Sequence, residues 1–312
     1  MPELPEVQTT VDGIHKVAKG KTIIDVWTDY NSPFHSQNDN IKNPVYFKKF
    51  KKEIVGEKII GSSRRAKNVL IHLSNNKTIL LHMKMTGHVM YGKYVFDKNK
   101  KKDPWTPEKN VGALADPFNK FLHFVVTLSD GSKTFGQLVL SDMRKFAKVT
   151  LLPTDHLEIS TDLQHLGPEP LDASFTYEIF KERIYKRKTG KIKTVLMDQT
   201  LIAGIGNIYS DEVLWRAGIH PEEPVNNIPE KKLKIMYRTV QETLRKGIDF
   251  GGDSMSDYRN IYGERGEFQE HHEAYRRTHK SCRKPKCKGI ITRKVVGGRS
   301  AHFCNTHQQL QK

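Results

Sequence analysis

Asn68-Val69-Leu70-Ile71-His72-Leu73-Ser74-Asn75-Asn76-Lys77-Thr78-Ile79-Leu80-Leu81-His82-Met83 settles the character of the N-terminal half. Two runs of aliphatic and β-branched residues, Asn68 to Leu73 and Thr78 to Met83, flank Ser74-Asn75-Asn76, whose residue types favour turns, so the stretch predicts two strands. Working outward, Thr22 to Trp27 and Phe121 to Val126 have the same make-up, and Ser129-Asp130-Gly131 supplies another turn. Short strands from about residue 21 to 152, without long helices between them, predict a sandwich or barrel. Ahead of them, Leu4, Val7, Val11 and Ile14 recur at spacings of three and four, an apolar helical stripe. Pro5 fits the first turn of that helix, and Glu3 and Glu6 suit its positive end. The Lys-rich stretch from Asp97 to Asn110, with two prolines, predicts an exposed loop.

Beyond Met83 and the last strands the pattern changes. Pro153 to about Gln164 reads as a linker. After it, Phe175 to Arg187, Lys193 to Gln199, Asn207 to Ala217 and Pro229 to Arg245 carry helically spaced apolar residues, punctuated by Gly204, Gly206 and Gly218. Gly251-Gly252 opens a polar, glycine-containing stretch to about Gly266 that reads as mobile. The expectation is an α+β chain: a β-sandwich domain with an N-terminal helix at 1–152, a linker at 153–165, a helical domain at 166–250, a loop at 251–268 and a metal-binding finger at 269–312.

Composition narrows the function. The 312 residues allow about two domains. Lys and Arg number 52 against 35 Asp and Glu, a net charge of +17, which disfavours a binder of basic ligands and favours a polyanion such as nucleic acid. No apolar stretch approaches the roughly 18 residues of a membrane span, and two acids and two prolines stand where a secretory signal would be basic and then apolar. The expectation is therefore a cytoplasmic protein with no membrane partner. The segment Arg276 to Arg299 holds ten Lys or Arg and no acid, so it either repels itself into disorder or lies on an anion.

The three cysteines all fall in the last 31 residues, which suits a reducing compartment and a local metal site better than disulfides. The layout Cys282-x4-Cys287-x16-Cys304-x2-His307 has two close pairs separated by a short span, the arrangement of a zinc ribbon. Three thiolates and one imidazole satisfy one tetrahedral Zn2+, and four protein ligands make it structural. His279 and His302 compete with His307 for the fourth position. Gly297-Gly298 supplies a hairpin turn between the pairs.

Seven motifs, in order along nearly the whole chain, resemble the formamidopyrimidine-DNA glycosylase family. They are Met1-Pro2-Glu3-Leu4-Pro5-Glu6-Val7, Arg64-Arg65-Ala66-Lys67, Met83-Lys84-Met85-Thr86-Gly87, Asp142-Met143-Arg144-Lys145-Phe146, Leu166-Gly167-Pro168-Glu169-Pro170-Leu171, Leu196-Met197-Asp198-Gln199 with Ala203-Gly204-Ile205-Gly206-Asn207-Ile208-Tyr209, and the ribbon itself. The resemblance implies a β-sandwich, a helix–two-turn–helix domain and a zinc finger, with double-stranded DNA between them and the chain acting as a monomer in a bacterial-type, nucleoid-associated setting. It implies a bifunctional enzyme of base excision repair. Such an enzyme removes oxidised purines (8-oxoguanine, formamidopyrimidines) through a Schiff base on an N-terminal proline, then nicks the abasic site by β,δ-elimination. The segment 251–268 becomes the lesion-recognition loop.

The chemistry agrees with the residues. An α-amine titrates near about 7.7–8.0, against about 10.4 for lysine, so an N-terminal amine is the better nucleophile at neutral pH. Pro2 supplies it once Met1 is removed. Glu3 adjoins that amine and, by the resemblance, is the general acid of sugar-ring opening; a helix-start acid is the plain alternative. Glu6, one turn on, is either structural or a support to it. Lys67 matches the lysine that contacts phosphate and assists elimination. Arg299 matches the finger-tip arginine of the second elimination. Extruding a base costs a few kcal/mol and leaves a void; the resemblance implies that the apolar Met85 and aromatic Phe146 fill it, with Arg144 on the orphaned partner base. By the resemblance Asn207 grips the DNA backbone; the plain alternative is that it caps its helix, and both can hold. Lys193, Lys188 and Tyr275 match further phosphate contacts.

Five features depart from the family pattern, among them the Lys-rich insertion near 97–110, which matches no family role. The first knuckle is two residues longer than Cys-x2-Cys, and His307 replaces a cysteine. Phe121 stands where a DNA-contacting histidine is usual, with His123 two residues on, and Ala147 replaces a glycine. The related endonuclease VIII branch, acting on oxidised pyrimidines, is the nearest alternative, and a non-catalytic zinc-ribbon binder of damaged DNA is the alternative of another class.

Overall fold

The structure, a computed structural model, describes residues 1–30, 39–100, 102–131 and 135–310. Lys101 of the Lys-rich stretch lies outside them. The chain forms two compact units: residues 1–164 with 250–267, and residues 165–249 with 268–312.

The first unit begins with α1 (Leu4–Ala18). Its stripe of Leu4, Val7, Val11, Ile14 and Ala18 is buried to 3% exposure or less, at about 1.5–3 kcal/mol for each large side chain. Then follow β1 (Thr22–Thr28), α2 (Pro44–Ile54), β2 (Ile59–Arg65), β3 (Asn68–Leu73), β4 (Lys77–His82), β5 (His88–Gly92), β6 (Tyr94–Phe96), β7 (Trp105–Pro107), β8 (Leu122–Ser129), β9 (Phe135–Ser141) and β10 (Lys148–Pro153). The quoted hairpin is β3–β4, antiparallel with Ile71 opposite Ile79. Two four-stranded sheets, ordered β1-β8-β9-β5 and β10-β4-β3-β2, make the sandwich. Their inner faces share one core: Ile23, Val89, Phe124 and Leu138 from the first, Ile59, Val69, Ile79 and Val149 from the second, with α1 and α2 packed in.

Three expectations need correction here. Helix α2 was not foreseen; Asn43 caps it, accepting from the Val45 and Tyr46 N–H groups, and Pro44 opens it. The Lys-rich stretch is not simply loop. Strands β6 and β7 pair across it, and Phe96 and Trp105 pack with Trp27 at ring-centroid distances of 5.3 to 6.1 Å. That hairpin covers a second small core of Met90, Leu122, Val125 and Val139. The stretch read as mobile from Gly251 to Gly266 is anchored, with Tyr258, Arg259 and Ile261 at 3–4% exposure. Ile261 fills a seat that only a glycine leaves open, since a Cβ on Gly13 would lie 2.6 Å from it. Its carbonyl accepts the Tyr91 N–H at 2.7 Å, and the Asn119 amide donates to the Gly263 carbonyl at 2.9 Å.

The second unit holds α3 (Tyr177–Tyr185), α4 (Ile192–Met197), α5 (Asn207–Ala217) and α6 (Glu230–Asp249), then the hairpin β11 (Ile291–Val296) and β12 (Arg299–Cys304). Tyr209 of α5 stacks on Phe268 at 5.0 Å and presses on Gly247 of α6, where a Cβ would come within 2.6 Å of its ring. Gly218 ends α5 in the left-handed conformation, φ +65°.

Candidate functional site

In the first unit the expected groups sit on loop tips and helix starts. Pro2 and Glu3 precede α1 and are buried, while Met1 is exposed. Glu3 occupies the N-cap in extended conformation, and its backbone N–H donates to Glu6 Oε2 at 2.7 Å. The other Glu6 oxygen accepts the Asp253 N–H at 2.8 Å. Burial, reinforced by the nearby Glu3 and Asp253 carboxylates, pushes the Glu6 pKa up to about 7 against those two hydrogen bonds. The segment 250–267 thus closes directly on the turn that carries Glu3. Lys67 lies in the tight β2–β3 turn, 6% exposed, beside Ala66 at φ +52°. Arg64 near the end of β2 donates to Gln8 of α1 at 2.9 Å, tying that turn to α1. Burial and the ammoniums of Lys84 and Lys67 hold His82 neutral, with its pKa lowered to about 3.

Met85, Arg144 and Phe146 come from two loops that one carboxylate joins. Asp142, fully buried, accepts from Tyr30 OH at 2.9 Å and the Ala147 N–H at 2.8 Å. Its other oxygen accepts the Thr86 hydroxyl, whose own oxygen accepts the Arg144 N–H at 3.2 Å. Burial and the Asp142 charge raise the Tyr30 phenol well above its ordinary value, so it remains a donor. Gly87 closes the Met85 loop; a Cβ there would meet the Met83 carbonyl oxygen at 2.5 Å. On this frame Met85 is 36% and Phe146 54% exposed, and the Arg144 guanidinium lies over the Phe146 ring at 5.5 Å. Two apolar side chains and a cation held out by a rigid base suit an inserted wedge far better than a core. His123, which follows Phe121 by two residues, pairs with Asp29 at 2.9 Å.

In the second unit Asn207 is the first helical residue of α5; the cap position belongs to Gly206, so Asn207 does not cap the helix. Its Oδ1 is buried without a hydrogen-bond partner among the described residues. Lys188 is exposed. Lys193 is fully enclosed, its ammonium given to Asp211 at 2.5 Å and Ser210 at 3.2 Å. In that position it is an internal countercharge to Asp211. Tyr275 is half-buried, its N–H donating to Glu212 at 2.8 Å. Arg299 is exposed at the tip of the β11–β12 hairpin.

Cys282, Cys287, Cys304 and His307 bring their ligand atoms within 4.8 Å of one another. Cys287 Sγ lies 3.6 Å from Cys304 Sγ, and Cys282 Sγ 3.4 Å from His307 Nδ1. Tetrahedral zinc with bonds of about 2.3 Å to sulfur and about 2.0–2.1 Å to nitrogen requires edges of roughly 3.8 and 3.5 Å, so the donor set fits. The N–H groups of Lys284, Gly289 and Thr306 donate to the three sulfurs at 3.4 Å, favouring thiolates. His307 Nε2–H donates to the Trp215 carbonyl of α5 at 3.0 Å, which leaves Nδ1 for the metal. The competition for the fourth ligand is resolved: His302 pairs with Asp211 and is not in the cluster, and neither is His279. Sequence reasoning assigned no role to Asp142, Asp211 and Glu212, each of which answers a distant partner (Tyr30 and Thr86, His302, and Glu273 respectively) 56 to 112 residues away along the chain.

Comparisons with known proteins agree with this construction. Residues 1–149 match the formamidopyrimidine-DNA glycosylase N-terminal domain and residues 166–259 the H2TH domain of the same enzymes. The chain is 34% identical over 311 residues to the formamidopyrimidine-DNA glycosylase of Pelotomaculum thermopropionicum, covering all of both chains. It is 35% identical over 308 residues to that of Bacillus subtilis, covering 97% of this chain and 98% of the relative. Among solved structures, Lactococcus lactis Fpg with abasic-site DNA aligns at a TM-score of 0.80, 32% identity, covering 98% of this chain and 99% of that one. MutM with DNA carrying carbocyclic 8-oxo-G aligns at 0.79 and 31%, covering 99% and 100%. With both family domains matched and full-length relatives above 30% identity, the chain belongs to the formamidopyrimidine-DNA glycosylase family.

Proposed function

We propose that this chain is a bifunctional DNA glycosylase and abasic-site lyase of base excision repair, acting on oxidised purines in double-stranded DNA in a bacterial-type cytoplasm. The observation that carries it is the full-length likeness to Fpg bound to abasic-site DNA, in a chain that begins Met-Pro-Glu. With Met1 removed, the Pro2 nitrogen attacks C1′ of the damaged nucleotide, the base leaves with the glycosidic electron pair, and Glu3 protonates the ring oxygen as the sugar opens. The iminium acidifies C2′; loss of that proton expels the 3′-phosphate. Loss of the C4′ proton then expels the 5′-phosphate, with Lys67 and Arg299 beside the departing charges, and water releases the sugar fragment from Pro2. Met85, Arg144 and Phe146 occupy the space of the extruded nucleotide, the segment 251–268 receives the base, and Lys188, Asn207 and Tyr275 hold phosphates. Cys282, Cys287, Cys304 and His307 hold one structural Zn2+, which keeps the finger folded and takes no part in the reaction.

Borohydride trapping on abasic and 8-oxoguanine duplexes tests this. A covalent protein–DNA adduct is expected, and it disappears in Pro2→Gly. Absence of an adduct at every lesion, or an adduct unchanged in Pro2→Gly, overturns the proposal.

A further inference from the structure

Two adjacent acids of α5 leave the helix in different directions, and both are spent on the finger. Asp211 Oδ2 accepts the His302 backbone N–H and the His302 Nδ1–H, each at 2.9 Å, while Oδ1 takes the Lys193 ammonium. Glu212 accepts the N–H groups of Glu273, Ala274 and Tyr275 at 2.8 to 3.0 Å. The His302 and Tyr275 rings then meet edge to face at 5.1 Å. Asp211, Glu212 and Lys193 are at most 1% exposed and His302 is 5% exposed. The hairpin is also seated on α4: Gly297, at φ +57°, lies so close that a Cβ would come within 2.2 Å of Thr194 Cγ2.

Burying an ammonium and a carboxylate gains little net stability over apolar residues of the same volume. What such a pair supplies here is a fixed place for β12. Asp211 lies four residues after Asn207, hence on the same face of α5, and its hold on the His302 backbone is about 10 Å along the strand from the Arg299 backbone. We propose that Asp211 is a positioning residue for the second elimination. Clamped to α5 through His302, β12 presents Arg299 at a set distance from the strand that Asn207 grips. The inference rests on the reading above that Arg299 stands beside the departing 5′-phosphate, where misplacement by about 1 Å costs on the order of 10²-fold.

The test uses the full-length, metal-loaded protein and a preformed abasic-site duplex under single turnover, with borohydride trapping for the Schiff base and gel separation of β- from β,δ-products. In Asp211→Ala the adduct is expected to form within about twofold of the parent rate, while the β,δ-product falls about 10- to 100-fold and the β-product accumulates. His302→Ala, which cuts the clamp from the finger side, gives the same partition. Asp211→Ala combined with Arg299→Ala is no worse than Arg299→Ala alone. A parental product ratio in both clamp variants overturns the inference, as does an equal fall of adduct and both products, which is what a merely structural role gives. A parent that forms no adduct overturns the enzyme reading and this inference together; a parent that traps and cleaves isolates the failure to the clamp.

Discussion

Ionising Glu6 inside the fold is expensive, and the cost is measurable. The carboxyl is 1% exposed and holds the Glu3 and Asp253 N–H groups. Its pKa rises from 4.5 to about 7. Between those values the folded chain keeps a proton that the unfolded chain has lost, so the stability from this group is complete below pH 4.5 and is lost as pH rises through about 7. At about 1.4 kcal/mol per pH unit the loss is about 3 kcal/mol. His82 and His88 slope the other way. Burial lowers them to about 3 and about 4, so their contribution is present above pH 6.5 and is lost as pH falls. They are common to parent and variant and cancel in a difference. Glu6→Gln has no titration, so its stability relative to the parent is expected to improve by about 3 kcal/mol from pH 4 to pH 8. Urea unfolding at half-unit pH steps, followed by the fluorescence of Trp27 and Trp105 with Trp215 replaced by Phe, measures it. A difference that stays within about 0.5 kcal/mol across that range refutes the reasoning.

Two further outcomes follow from the sites described. Asp142→Ala strands the Tyr30, Thr86 and Ala147 donors around a vacated carboxylate and should cost about 3–5 kcal/mol in urea unfolding, with duplex binding weakened as the Met85 and Arg144 loops part; a loss under about 1 kcal/mol contradicts the joint role of that carboxylate. Metal analysis should find about one zinc per chain, retained in His307→Cys and lost in Cys304→Ser. Zinc-free protein with an intact finger, read from the melting of β11–β12, would remove the metal from the account.

The legible parts of the fold were those whose pattern is local. The β3–β4 hairpin announces itself in sixteen consecutive residues, α5 runs over the very range that its spacing gives, and the candidate metal cluster follows from two short spacings, with the fold choosing His307 over His279 and His302. Helix α2 has signals too, with Asn43, Pro44 and the 3–4 spacing of Phe47, Phe50 and Ile54, but they lie between strands and among four lysines, which blur the apolar stripe. The β6–β7 hairpin has three residues per strand, too few to show alternation. The anchoring of 251–266 has no local pattern, because what holds it is Gly13, Glu6 and Asn119. Asp211 and Glu212 look like any acids near a helix start; only the fold reveals that each answers a backbone some sixty to ninety residues downstream.

The first unit closes with a piece of chain that is made late. Ile261, which fills the seat beside Gly13, leaves the ribosome about 5–20 s after Gln164 at ordinary rates of synthesis. Through that interval the nascent sandwich has an apolar notch in its first helix and an acid, Glu6, lacking the Asp253 amide. Cutting a gene for this protein at the linker would therefore yield an N-terminal fragment with a permanent wound, and a self-sufficient version needs residues 250–267 grafted back.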